Sequence, residues 1–120
     1  PFTDAMREVF FPRVVTRIRE LQQQHKTLVV TQGVYKQRHR DYLLREVPAM
    51  AMVCVTCNEA LLQQRLAARP QGISSASAAA LLADFELPSP GMPVIHNDGD
   101  DAEVIRQLNG FYDVRSDGRL

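Results

Sequence analysis

Apolar side chains recur along this chain in two rhythms, and the alternation between them outlines a fold. Val9, Phe10, Val14, Val15, Ile18 and Leu21 follow Thr3 and Asp4 at near-helical spacing, and either of those two polar residues can cap a helix. Pro12 lies inside this run, so a kink or a break into two helices is expected there. The run ends in the polar stretch Gln22-Gln23-Gln24-His25-Lys26. Thr27-Leu28-Val29-Val30-Thr31 is then short, continuous and rich in β-branched residues, the pattern of a strand buried on both faces, and Gly33 closes it.

The same alternation continues downstream. A basic helix is expected over Lys36 to Glu46, stopping before Pro48. Met50 to Thr56 reads as a second buried strand. Asn58 can cap a helix over Glu59 to Arg69 with Leu61, Leu62 and Leu66 on its apolar face, and Pro70-Gln71-Gly72 breaks it. Ser74 or Ser75 opens an alanine-rich helix reaching about Glu86. Pro88-Ser89-Pro90-Gly91 is a loop, and Pro93 to His96 is a third short strand. Asp100 and Asp101 favour the start of a last helix carrying Val104, Ile105, Leu108 and Phe111, and the polar tail 113–120 is expected to fray. Uniformly apolar strands alternating with helices predict an α/β fold, a parallel sheet with helices on both faces in three layers. Its ligand-binding loops would follow the strands, at Gln32-Gly33, Cys57-Asn58 and Asn97-Asp98.

Composition narrows the function classes. A chain of 120 residues with 45% apolar and 23% charged side chains can bury a core as one domain, 1–120. Lysine plus arginine balances aspartate plus glutamate at 14 each, so no net field draws the chain to nucleic acid or to a membrane. No stretch is apolar enough for a membrane span, nothing resembles a signal peptide, and the cytoplasm is the default compartment. The chain opens at Pro1 without an initiator methionine, as expected of a processed start or a piece of something longer.

Three groups of residues could carry chemistry. Lys36 and Arg40 share a helix face after a strand ending at Gly33, where a ligand could approach the backbone, and both could reach one anionic group. A solvated helix face with Asp41 paired to Arg45 explains the same spacing. Arg65 and Arg69 form a second such pair, suited to a polyphosphate or to solvent, and Asp4 and Arg7 a third, one helical turn apart. Cys54-Val55-Thr56-Cys57 has redox spacing, but its first cysteine falls inside a predicted strand, which points to inert buried thiols. His25, His39 and His96 are too scattered for a zinc site.

Taken in order, these stretches resemble the gluconokinase-like branch of the P-loop small-molecule kinases. Pro1-Phe2-Thr3-Asp4-Ala5-Met6-Arg7 stands where that family has P-L-x-D-x-D-R before a long helix. Gln32-Gly33-Val34-Tyr35-Lys36-Gln37-Arg38-His39-Arg40-Asp41, continuing to Arg45, stands for C-S-A-L-K-x-x-Y-R-D-x-L-R with one extra residue. Arg65-Leu66-Ala67-Ala68-Arg69 matches R-L-x-x-R, Leu81 to Glu86 is similar to L-L-x-S-Q-F, and Pro90 matches the proline beyond it. The resemblance covers nearly the whole chain. It implies phosphoryl transfer from ATP, with Mg²⁺, to a sugar-acid hydroxyl. Asp4, Arg7, Gly33, Lys36 and Arg40 would then lie on the substrate side, and Arg65 and Arg69 in the lid over the nucleotide phosphates.

The departures from the family are specific. Met6 replaces the second aspartate, Gly33 replaces a serine, and Pro70-Gln71-Gly72 replaces a His-Phe pair. No G-x-x-x-x-G-K-[ST] occurs, and the glycines at 33, 72, 91, 99, 110 and 118 are scattered. Backbone amides that cradle phosphates cannot be replaced by stray arginines, so this chain alone is expected to be inactive and to bind no ATP or Mg²⁺. Without the first β-α-β portion about three strands would remain. The strands at 27–31 and 50–56 would then pair directly or accept another chain, giving a homo-oligomer or strand-sharing dimer. The alternative is a non-catalytic, degenerate α/β protein acting through self-association or partner binding.

Overall fold

Thr3 begins the first helix as expected: its Oγ1 accepts from the Met6 amide at 3.2 Å. The computed structural model describes residues 3–69 and 75–116, and only the backbone of 75–78, 81 and 113–116. Among the described residues the elements are, in order, α1 (Asp4–Gln22), α2 (Gln37–Glu46), β1 (Cys54–Thr56), α3 (Glu59–Ala68), α4 (Ser75–Asp84), β2 (Val94–His96) and α5 (Asp101–Ser116). Helices alternate with a small two-stranded parallel sheet, so the chain is of mixed α/β character. None of these helices is long and apolar enough to cross a membrane.

Two compact units divide the chain: Pro1–Met50 with Asp84–Leu87, and Ala51–Ala83 with Pro88–Leu120. In the first, α1 packs on α2, and the core is Phe11, Val15, Ile18, Leu43 and Val47, each at most 5% exposed. Arg7, Phe11, Val15 and Ile18 repeat at helical spacing across Pro12, so the buried stripe holds α1 unbroken and the expected split into two helices does not occur. Thr16 Oγ1 donates to the Pro12 carbonyl at 3.1 Å. At the far end Arg19 donates to the Glu46 carbonyl at 2.8 Å and pairs with its carboxylate at 3.1 Å, a cation placed at the C-terminus of α2.

In the second unit β1 and β2 pair in register, Cys54 with Val94 and Thr56 with His96. The ladder is shorter than the predicted strands for a local reason. Pro93 has no N–H to give, and the chain before it turns, with Met92 N–H bonded to the Ser89 carbonyl at 3.0 Å, so residues 50–53 have nothing opposite them. Ile95 is buried, and Gln107 of α5 brackets His96, its side chain accepting from the amide at 2.8 Å and donating to the carbonyl at 3.0 Å. A side-chain amide thus takes the place of a further strand at that residue.

The expected strand at Thr27–Thr31 is absent, leaving two strands rather than three among the described residues. Val29 is 81% exposed and Val30 43%. Such a run is a buried strand only where neighbours supply a ladder, and no described residue does so. The remaining boundaries lie close to expectation. Asn58 caps α3 through its side chain, which accepts from Leu61 N–H at 2.8 Å. α5 runs on to Ser116, past Asp113. The Pro70-Gln71-Gly72 break and the residues after 116 lie outside the described residues.

Candidate functional site

Positions 4, 7, 8 and 11 share one face of α1 because the helix repeats every three to four residues, and this face meets α2. Arg7 is 2% exposed and sits between two carboxylates, Asp4 at 2.7 Å and Asp84 at 3.2 Å. Arg38 bridges from α2 to Asp4 at 3.4 Å and to Glu8 at 3.1 Å. Glu8 Oε1 also lies 3.0 Å from His39 Nε2. The bond from Arg7, helped by Arg38 and by the nearby charge of Lys36, holds the Asp4 carboxyl below its ordinary range. His39, then Arg38, does the same for Glu8. Both carboxylates are about half exposed, so solvent screens these pairs.

A second set of contacts runs inward from α2. Arg40, 3% exposed, donates Nε–H to the Val34 carbonyl at 2.9 Å and Nη1–H to Gln37 Oε1 at 3.0 Å. Its Nη2 reaches the Tyr35 carbonyl at 3.1 Å and the Glu86 carbonyl at 2.6 Å. Four of its five N–H groups are therefore used inside the protein. The Arg7 guanidinium lies 5.6 Å from the Tyr35 ring, Tyr35 meets Phe85 edge-on at 6.2 Å, and Arg40 lies 5.1 Å from Phe85. The two buried cations thus flank a pair of aromatic rings, an arrangement their quadrupoles favour.

The predicted residues divide accordingly. Asp4 and Arg7 are together, and Lys36 is near enough for its charge to act on Asp4. Lys36 is also the N-cap of α2, its carbonyl accepting from the His39 and Arg40 amides at 3.1 and 3.2 Å. Arg40 is buried and bonded to the internal acceptors given above. Gly33 is exposed, and a Cβ there would meet the Tyr35 ring at 3.4 Å. Asp41 accepts from Gln37 Nε2 at 2.9 Å instead of pairing with Arg45, which lies 4.0 Å from Glu46. Cys54 and Cys57 are half-buried rather than buried.

In the second unit, Arg65 is half-buried and donates to the Asn97 carbonyl at 2.7 Å, while Arg69 is the exposed C-cap of α3. The loops at the carboxyl ends of β1 and β2 are tied together. Asn97 N–H bonds the Thr56 carbonyl at 2.6 Å, and Asn58 N–H bonds Asp98 Oδ1 at 2.6 Å. The chain matches no family model, no curated protein and no solved structure.

Glu8, Arg38 and His39 are not among the site residues expected from the sequence, although Glu8 lies one helical turn beyond Asp4. Nε2 of the His39 ring is taken up by Glu8, and Nδ1 is covered by protein with no hydrogen-bond partner among the described residues. The pair therefore positions groups and offers no base to a substrate in this conformation. No group of three or more His, Cys, Asp and Glu side chains that could hold a metal ion occurs among the described residues.

Proposed function

We propose that this chain is the downstream portion of a gluconokinase-like phosphotransferase, carrying substrate-side and lid residues. Its phosphate-binding loop must then come from sequence outside these 120 residues. The observation that carries the reading is the parallel pairing of β1 with β2, whose carboxyl-end loops are tied to each other and to Arg65. Parallel α/β sheets bind ligands at that end of their strands. The full three-layer sheet belongs to this proposal, with a P-loop strand added to the two present.

The sequence has no G-x-x-x-x-G-K-[ST] loop to cradle the phosphates, so under this reading the chain alone binds no Mg-ATP. The direct check is calorimetry with Mg-ATP at millimolar concentration. The expected result is no binding heat beyond dilution, and saturable one-to-one binding would overturn the reading.

One observation favours a second reading, a non-catalytic protein that self-associates. Val29 and Val30 are exposed on a segment without a ladder partner. Light scattering across a concentration series separates the two. A dimer lost on Val29→Lys would favour self-association, and a monomer at all concentrations would dismiss it.

A further inference from the structure

A groove of about 280 Å³ runs between α1 and α2 in the first unit, lined by Arg7, Glu8, Phe11, Pro12, Arg38, His39, Tyr42 and Arg45. A larger hollow of about 390 Å³ borders Pro12, Arg13, Thr16, Arg17 and Glu20, but these all belong to one helix, so no opposing wall brings groups together. The α1–α2 groove differs in having two walls. Its volume lies at the lower end for ligand sites, which limits an occupant to a small molecule.

The charges of its lining are not equally committed. Arg7 is held between Asp4 and Asp84, and Glu8 is paired with Arg38 and hydrogen-bonded to His39. Arg45 is different. Its guanidinium lies 5.6 Å from the Tyr42 ring and makes no hydrogen bond among the described residues; its nearest carboxylate there is Glu46 at 4.0 Å. The Tyr42 hydroxyl and Arg38 Nη1 also lack hydrogen-bond partners among the described residues. Arg38, Tyr42 and Arg45 recur at helical spacing, so their side chains line the same wall. His39 also lines the groove but is 3% exposed.

The geometry points to an oxyanion site in this groove, in which Arg45 and the Tyr42 hydroxyl bind a phosphate or carboxylate group of a small ligand and Arg38 Nη1 supplies a further donor. Guanidinium and phenol donors match either anion, and exposed Pro12 on the α1 wall gives the body of the ligand an apolar contact. The site does not depend on the kinase reading, since it uses none of the residues that reading assigns to the nucleotide.

The test is a pair of titrations followed by amide and aromatic NMR shifts, one with inorganic phosphate and one with acetate. Sodium chloride at matched ionic strength is the control. Saturable shifts at Tyr42 and Arg45 are expected with at least one anion, and which one saturates identifies the ligand group. Arg45→Gln, at a side chain 69% exposed, should weaken binding at least tenfold, while Arg17→Gln on the outer face of α1 leaves it unchanged. Linear shifts with both anions would overturn the proposal, as would equal binding by the Arg45→Gln protein.

Discussion

Arg40 illustrates what spacing conveys about a residue and what it leaves out. The four-residue interval from Lys36 places both on one helix face, but the direction of that face depends on the carbonyls at Val34, Tyr35 and Glu86. No local pattern encodes a partner 46 residues away. His39 was hidden for the same reason, because its ring packs against Phe11 at 4.9 Å, a contact set by α1. Arg40→Met should leave those carbonyls short of donors and lower stability by about 2–4 kcal/mol, read from urea unfolding. An unchanged midpoint would remove Arg40 from the framework. The carboxylates predict a pH response. Asp4, Glu8 and Glu103 are all held below their ordinary range in the folded state. Their contribution is therefore complete above the unfolded pKa of about 4 and is lost as pH falls through the lower folded values. The urea midpoint should fall as pH drops from about 5 towards 2, and less steeply in the Asp4→Asn, Glu8→Gln double variant.

Helices were legible as elements because caps and apolar spacing are local signals. Thr3 and Asn58 cap where expected, and α2 and α3 end within a residue of their predicted limits. Strands were less legible, since a strand is defined by its partner. The runs at 50–56 and 93–96 pair for three residues, and the run at 27–31 forms no strand with any described residue. Val29→Lys should therefore change stability by no more than about 0.5 kcal/mol, the ordinary range for an exposed site. A loss above about 2 kcal/mol would place Val29 in a buried strand after all. Pro12 gives a prediction of opposite sign. Exposed within an unbroken helix, it removes an amide donor, so Pro12→Ala should raise stability by about 1–3 kcal/mol in thermal or urea unfolding.

For the whole molecule, the mixed α/β character was readable from the alternation of rhythms, because each rhythm reflects how an element is buried. The division into two compact units was not readable, since no long linker marks it. The candidate site was legible only at Asp4 and Arg7, whose pairing is local. The kinase reading makes its sharpest demand at this scale: supplied with a phosphate-binding loop, the chain should become competent. The decisive measurement is a coupled assay on a fusion that places the strand, glycine loop, helix and second strand of a gluconokinase ahead of residue 1. ATP-dependent phosphorylation of gluconate or a related sugar acid is predicted, reduced at least tenfold by Arg65→Gln. A fusion that is folded by circular dichroism and binds ATP, yet transfers no phosphate to any sugar acid, would contradict it.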